Sequence, residues 1–125
     1  MEELIKGAVK EPLNESMDLR AIWVAYIQEA QLIWPEPFDN VSKYEIFKNG
    51  ELFMELTAEM FEKPSMFDHD HHTNLFWKTS NHEILVRDYP LNKFQKYSYK
   101  VKAYRYEGDV LTAYAESMDK EVMID

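Results

Sequence analysis

Chemically reactive side chains are concentrated in one short stretch of the chain. Residues 68–72 read Asp-His-Asp-His-His, and a further histidine, His82, follows. Neutral imidazoles and carboxylates bind zinc and other divalent ions. Alternate residues of an extended segment share a side, so His69 and His71 can point together, and Asp68 or His82 could complete a metal site. A solvated polar loop without any ligand explains the same stretch equally simply.

The string Asp-His-Asp-His-x-Thr resembles the metal-binding stretch of His-metal-finger nucleases of the endonuclease VII type. The matching positions are Asp68, His69, Asp70, His71 and Thr73. The resemblance implies a divalent ion and a histidine general base. The cysteine-bound zinc of that family and its glycine-arginine-glycine stretch have no counterpart in this sequence. A nuclease is therefore kept as an alternative function.

Composition restricts the remaining possibilities. The length of 125 residues fits one domain over 1–125. The chain has no cysteine, which excludes disulfide scaffolds, thiolate zinc sites and thiol catalysis. Three glycines leave no Walker loop, nucleophile elbow or dinucleotide fingerprint. The sequence contains no signal-peptide pattern and no apolar run of membrane-spanning length, so a cytoplasmic location is expected.

Charge is distributed unevenly along the chain. Residues 1–62 hold five Lys and Arg against thirteen Asp and Glu, a net charge of −8, out of −9 for the whole chain. The segment from Lys93 to Arg105 carries five positive charges and no acid. The overall acidity disfavours nucleic acid as a partner. It is compatible with solubility alone, or with docking on another protein that has a basic surface.

Helical spacing follows a candidate N-cap at Ser16. Apolar residues recur every three or four positions across Met17–Trp34, and Pro35 and Pro37 would end the helix. The members of this apolar stripe are Leu19, Ile22, Trp23, Tyr26, Ile27, Ala30, Ile33 and Trp34. The pattern predicts one long N-terminal helix, preceded by an arm over residues 1–15.

Strand patterns dominate the rest of the chain. Lys48-Asn49-Gly50-Glu51 predicts a hairpin with a two-residue turn within residues 43–62. A short helix over Thr57–Glu62 would follow it. The alternative for this segment is two helices broken at Gly50. Two more strands are predicted over 74–79 and 82–88, and a frayed acidic end over 119–125. The predicted fold class is α+β, with the long helix packed on a curved antiparallel sheet of five to six strands.

A long hairpin over Tyr97–Ser117 is the main predicted framework element. A three-residue loop ending at Gly108 would place Arg105 opposite Asp109. One face is then uniformly apolar, and its members are Tyr99, Val101, Ala103, Leu111, Ala113 and Ala115. The opposite, wet face carries a candidate binding patch made of Lys100, Lys102, Tyr104 and Tyr114.

These patterns favour a small, acidic, non-enzymatic protein-interaction module. An inhibitor, an immunity-type protein or an assembly component, such as a phage or bacterial accessory protein, would fit. It would bind its partner through the acidic N-terminal half or the aromatic sheet face, with no cofactor. The alternatives are a metal-dependent enzyme centred on residues 68–72, and a small-ligand pocket between helix and sheet lined by Trp23 and Tyr26.

Overall fold

The fold is built almost entirely of β-strands. A computed structural model describes residues 15–24, 27–62, 76–89 and 91–123, and 65% of these lie in strands against 6% in helix. The strands are β1 (Glu15–Met17), β2 (Arg20–Val24), β3 (Glu29–Pro35), β4 (Lys43–Lys48), β5 (Glu51–Thr57), β6 (Phe76–Lys78), β7 (Glu83–Asp88), β8 (Lys96–Glu107), β9 (Val110–Ser117) and β10 (Lys120–Met123). In the same ranges one short helix, α1, spans Ala58–Glu62.

The strands form two sheets. The first has six strands in the order β1-β9-β8-β4-β5, with β10 also pairing with β8. The second has four strands in the order β2-β3-β7-β6. Neighbours are antiparallel except β1 and β9, which are parallel. The chain crosses from one sheet to the other between β1 and β2, where Leu19 N–H donates to the carbonyl of Met17 (3.2 Å).

The predicted long helix over Met17–Trp34 is wrong, and with it the α+β class. The segment forms the end of β1, then β2 and β3, which pair antiparallel with Ala21 opposite Leu32. Ala30, Leu32 and Trp34 are fully buried on one face of β3. Apolar Ile22 and Ile33 stand at the intervening positions, so both faces of these strands carry apolar residues. Their combined positions imitate a helical stripe.

The hairpin predicted at Lys48-Asn49-Gly50-Glu51 is confirmed. Lys48 pairs with Glu51 across the turn, and Asn49 and Gly50 both adopt positive φ (54° and 85°), as a type I′ turn requires. The short helix after it is confirmed as α1, one residue shorter than predicted. The two strands predicted over 74–79 and 82–88 correspond to β6 and β7, with residues 74–75 outside the described ranges.

The long hairpin exists, but its predicted register is wrong. The turn is formed by two residues, Gly108 and Asp109, with Gly108 at φ 68°, and Arg105 lies opposite Thr112. A bulge follows between Ala103 and Tyr104. Beyond the bulge Ala103 pairs with Ala115 instead of Leu111, a shift of four positions. Ala115 therefore shares the inward face with Ala103, Val101 and Tyr99, as predicted. On the turn side of the bulge the shift is three positions, so Ala113 and Leu111 lie opposite Tyr104 and Tyr106, on the other face of β8, and their predicted facing is wrong.

The end predicted to be frayed contains a strand. β10 continues the path of β9 along the same neighbour, with Lys120 opposite Tyr99 and Met123 opposite Lys96, and Val122 is buried. Residues 124–125 lie outside the described ranges. Between β9 and β10 the backbone ladder is interrupted, and the hydroxyl of Ser117 accepts the N–H of Val101 there (2.9 Å). The side chain thus replaces the missing backbone acceptor.

The core lies between the two sheets. Trp34 of the four-stranded sheet contacts Tyr44 of the six-stranded sheet edge to face, with ring centroids 5.3 Å apart. Tyr99 reaches across to Asp88 of β7 with its hydroxyl. Small and branched residues fill the space between these aromatic rings, among them Leu32, Ile46, Leu56, Ile84, Val86, Val101 and Ala115. Facing sheets therefore bury the apolar surface that the sequence analysis assigned to a helix.

Candidate functional site

The predicted metal site is only partly within the described residues. Asp68, His69 and His71 lie outside them, so the cluster stays a prediction. His82 lies in the turn between β6 and β7, at φ 61°, with 78% of its side chain exposed. Its Nδ1 is 3.5 Å from Oε1 of Glu36. Within the described ranges no three His, Cys, Asp or Glu side chains come together in a group that could hold a metal ion.

Two lysines of the predicted binding patch lie on the outer side of the six-stranded sheet and are already engaged in ion pairs. Lys100 Nζ is 2.9 Å from Glu116 Oε2, and Lys102 Nζ is 4.0 Å from Glu116 Oε1. Lys102 also stands over the ring of Phe47, with its Nζ 5.6 Å from the ring centroid. Side chains paired in this way have less charge left to offer a partner.

Tyr104, the third member of the patch, is buried at 3% exposure. Its hydroxyl donates to Oε1 of Glu45 (2.6 Å), and Lys43 stands over its ring at 5.1 Å. Lys43 bridges Glu45 (3.1 Å) and Glu55 (3.2 Å). Burial alone would raise the pKa of Glu45, but the hydrogen bonds from Tyr104 and Lys43 outweigh it and lower the pKa below 4.5. Tyr104 thus helps to hold a charged network in place.

Tyr114, the fourth member, makes different contacts from Tyr104. The bulge in the β8–β9 ladder makes Tyr114 the extra residue of β9, because Ala113 and Ala115 both have partners on β8. Its ring meets Phe38 edge to face at 5.8 Å, and the guanidinium of Arg105 lies 4.3 Å from its centroid. The four patch residues therefore do not form one common surface.

The predicted pocket between helix and sheet has no helix to form it. Trp23 lies on β2 and packs against the core that the two sheets share, while Tyr26 lies outside the described residues. Two other features replace it as candidate sites: the outer edge of β5, and a cleft at one end of the two sheets.

The outer edge of β5 combines backbone groups with acidic side chains. β5 is last in the strand order of its sheet, and no other strand of the described residues pairs with its outer edge. Glu51, Leu52 and Glu55 are exposed along it, and Glu59 of α1 is exposed just beyond. Leu52 is 52% exposed. One end of the edge is closed, since Thr57 N–H points at the sulfur of Met60 (3.4 Å).

The cleft has a volume of about 540 Å³ and lies where the β3–β4 loop, α1 and the β6–β7 turn meet. Val41, Leu56 and Phe61 supply apolar walls. At the mouth, Lys78 Nζ is 3.0 Å from Glu36 Oε2 and stands over the ring of Phe61 at 5.7 Å. The N–H of Glu36 donates to the carbonyl of His82 (2.9 Å), which ties the β6–β7 turn to the end of β3.

Tyr44 is one of the residues that line this cleft, and its buried hydroxyl makes no hydrogen bond. The residue is 2% exposed, and neither its hydroxyl nor Nε1 of Trp34 has a hydrogen-bond partner among the described residues. Burial raises the pKa of Tyr44, the charge of Glu36 raises it further, and the nearby indole of Trp34 opposes both. The indole N–H and the hydroxyl are thus neighbours that do not meet hydrogen-bond geometry.

A second buried polar group, Asp88 at the end of β7, lies beside Lys48, at the other end of β4 from Tyr44. Asp88 is 6% exposed, accepts the hydroxyl proton of Tyr99 (2.6 Å) and is 3.0 Å from Lys48 Nζ. Lys48 stands over the rings of Phe53 and Tyr97. Sequence analysis missed the roles of Glu36 and Tyr44 and the pairing of Asp88 with Tyr99 and Lys48. Nothing in their local sequence separates them from ordinary strand-end residues, because the partners are distant in the chain.

Comparisons with known proteins add no family. Neither the protein-family models, nor the curated proteins, nor the solved structures contain a match to this chain. Among the described residues no helix is long and apolar enough to cross a membrane.

Proposed function

We propose that this protein is a protein-interaction module that binds a basic, extended segment of a partner protein along the outer edge of β5. The observation that carries the proposal is the combination at β5 of an unpaired strand edge, an exposed Leu52 and exposed Glu51 and Glu55. An added strand would gain backbone hydrogen bonds from the edge and side-chain contacts from alternate positions.

Local charge favours a basic partner over an acidic one. β5 and α1 carry four glutamates and no lysine or arginine, and Lys43 of the neighbouring strand is shared between Glu45 and Glu55. Glu51 and Glu59 extend the acidic surface on both sides. Steering by such a surface weakens with salt.

The turn geometry provides a selective test. Lys48 and Glu51 close the two-residue turn, and in such a ladder hydrogen-bonded and non-hydrogen-bonded pairs alternate. The N–H of Leu52 therefore points to the outer edge. Leu52→Pro removes that donor without removing a bond to β4, as proline is tolerated on strand edges in this orientation. Leu52→Thr is the matched control, because it keeps the N–H and suits an exposed strand.

The experiment selects peptides from a random display library against the wild-type protein, with counter-selection against Leu52→Pro. The enriched peptides should be basic and rich in β-branched residues. Their affinity should fall about tenfold in Leu52→Pro and stay within about threefold in Leu52→Thr. Glu51→Gln combined with Glu55→Gln should flatten the salt dependence of binding. Failure to enrich any peptide, or equal binding to both Leu52 variants, would refute the proposal.

A further inference from the structure

We propose that the turn formed by Lys93 and Phe94 is a membrane-contact site, which places the side chain of Phe94 in the headgroup region of a bilayer that contains anionic lipids. The turn lies in the connection from β7 of the four-stranded sheet to β8 of the six-stranded sheet. The site is separate from the edge of β5 and has a different kind of partner.

Phe94 combines two features that are each unfavourable for the isolated protein. Its backbone has a φ of 63°, in the left-handed region, where a bulky residue is a genuine outlier. Its side chain is 78% exposed, the largest fraction among the exposed large hydrophobic residues of the described ranges. Glycine would suit this backbone better, and a polar side chain would suit water better. A position that costs stability in this way indicates a functional requirement.

The other described non-glycine residues with positive φ have local reasons for it. Three of them are asparagine or histidine, types that enter the left-handed region more readily. The fourth, Gln28, makes two hydrogen bonds to Leu91: its carbonyl accepts the N–H (2.9 Å) and its side-chain amide donates to the carbonyl (3.0 Å). The ring of Phe94 makes no aromatic or cation–π contact among the described residues. Contacts of its own side chain therefore do not explain its conformation.

The chain is fixed on both sides of Phe94. Before the turn, Leu91 is bonded to Gln28, and the N–H of Asn92 donates to the hydroxyl of Tyr97 (3.1 Å). After the turn, β8 begins within two residues. These contacts hold the turn in its strained form and present the exposed ring without a further ordering step.

Two more exposed apolar residues lie at this end of the fold. Ile27, at 39% exposure, belongs to the β2–β3 connection that is bonded to Leu91. Met123, at 53% exposure, lies opposite Lys96 at the end of β10. Together with Phe94 they come from three separate segments of the chain. A fluid bilayer surface accepts such a set of side chains because it requires no matching shape.

The charges beside Phe94 favour anionic lipid over a pocket in another protein. Lys93 is exposed and makes no ion pair among the described residues. Lys96 is 3.7 Å from Glu121, and both side chains are mostly exposed, so this contact is weak. Protein interfaces are depleted in lysine, whereas lysine together with phenylalanine is typical of segments that lie in the membrane interface. Anionic lipid attracts this end and repels the acidic remainder of the chain, which orients the molecule.

Vesicle co-sedimentation measures the proposed contact. The wild-type protein should partition onto vesicles made of equal parts phosphatidylcholine and phosphatidylglycerol, and at least about tenfold more weakly onto pure phosphatidylcholine. Added salt should weaken binding to the mixed vesicles. Lys93→Gln should lower the partition coefficient on the mixed vesicles about fivefold, because one lysine near an anionic surface is lost.

Phe94→Gly separates membrane contact from folding. It removes the apolar side chain, so partitioning onto the mixed vesicles should fall about tenfold. It also suits the positive φ, so the melting temperature should rise by about 3 °C. Phe94→Leu keeps an apolar side chain and should bind within about threefold of wild type. Leu52→Thr, at an exposed residue of β5, is the control and should leave vesicle binding unchanged.

Three results would overturn the proposal. The first is a wild-type protein that does not partition onto the mixed vesicles, which would leave a pocket in another protein as the partner of Phe94. The second is equal partitioning of wild type and Phe94→Gly. The third is a melting temperature that does not rise in Phe94→Gly, since the position would then cost no stability. Each result is independent of peptide selection at β5.

Discussion

The hydroxyl of Tyr99 lies 2.6 Å from Oδ2 of Asp88, inside the core and across the boundary between the two sheets. Tyr99 belongs to β8 of the six-stranded sheet and Asp88 to β7 of the four-stranded sheet. Tyr99 is fully buried and Asp88 is 6% exposed. Burial raises the pKa of Tyr99, and the hydrogen bond to Asp88 raises it further. The hydroxyl therefore stays protonated and acts as the donor.

Tyr99→Phe should lower the free energy of unfolding by about 2 kcal/mol, because Asp88 loses a short hydrogen bond and stays buried. Urea denaturation monitored by tryptophan fluorescence measures the change. Tyr106→Phe, at a tyrosine that is 60% exposed, should stay within about 0.5 kcal/mol of wild type. Equal effects of the two substitutions would contradict the role assigned to this bond.

Tyr44→Phe should have the opposite effect on stability. The buried hydroxyl of Tyr44 has no partner among the described residues, whereas that of Tyr99 is bonded. Removing it relieves the cost of an unpaired polar group, and the edge-to-face contact with Trp34 remains. The free energy of unfolding should rise by about 1 kcal/mol. A clear decrease in the same urea experiment would mean that the hydroxyl has a partner.

Glu29 and Arg87 should make the protein sensitive to acid. Glu29 is fully buried and accepts Nε and Nη2 of Arg87 (2.9 and 2.7 Å), and Gln31 adds a third bond (2.7 Å). Burial alone would raise the pKa of Glu29, but these bonds outweigh it and hold the pKa below 4.5. In the unfolded chain the carboxylate takes up its proton at higher pH than in the folded one. The pair's contribution is therefore complete above about pH 4.5 and is lost as the pH falls below it.

Glu29→Gln tests this pH dependence. At neutral pH the variant should be about 2 kcal/mol less stable than wild type, because Arg87 loses its carboxylate. The difference between the two proteins should shrink when unfolding is measured down to about pH 3. A difference that stays constant over this range would show that Glu29 does not titrate as its contacts require.

Ser117→Ala should leave the N–H of Val101 unpaired inside the core. Ser117 is 2% exposed and its hydroxyl is the acceptor where the ladder between β8 and the β9–β10 strands is interrupted. The expected loss is about 2 kcal/mol, together with faster hydrogen exchange of the Val101 amide. Ser80→Ala, in the exposed β6–β7 turn, is the control and should change stability by less than about 0.5 kcal/mol. Unchanged exchange at Val101 would show that another group accepts its N–H.

Local signals in the sequence predicted the elements that depend only on neighbouring residues. Asn49 and Gly50 both tolerate positive φ, so their turn could be read without knowing the rest of the fold. Ile84 and Val86 alternate with Glu83, Leu85 and Arg87, and they are buried in β7 as a two-residue period requires. The inward side of β8 was predicted for the same reason, since facing along a single strand depends on parity alone.

The candidate site could not be predicted in this way. Tyr44 and Glu36 line the same cleft only because β3, β4 and the β6–β7 turn end at the same edge of the fold. The β5 edge became visible only once the strand order placed β5 last in its sheet. The patch predicted on the long hairpin depended on a cross-strand register that the two-residue turn at Gly108 and Asp109 shifted by three positions and the bulge beside Tyr104 by one more. A single inserted residue alters such pairings without any marked local signal.

By itself, the sequence determined the acidic charge, the absence of thiol chemistry, the type I′ turn at Asn49-Gly50 and the strand character of most of the second half. Only the tertiary structure decided that β2 and β3 form where the sequence predicted a helix, because Ile22 and Ile33 make both faces apolar and hide the two-residue period. It also brought Tyr99 to Asp88 and left Tyr44 without a bond. These outcomes depend on long-range packing, which selects among local conformations of similar energy.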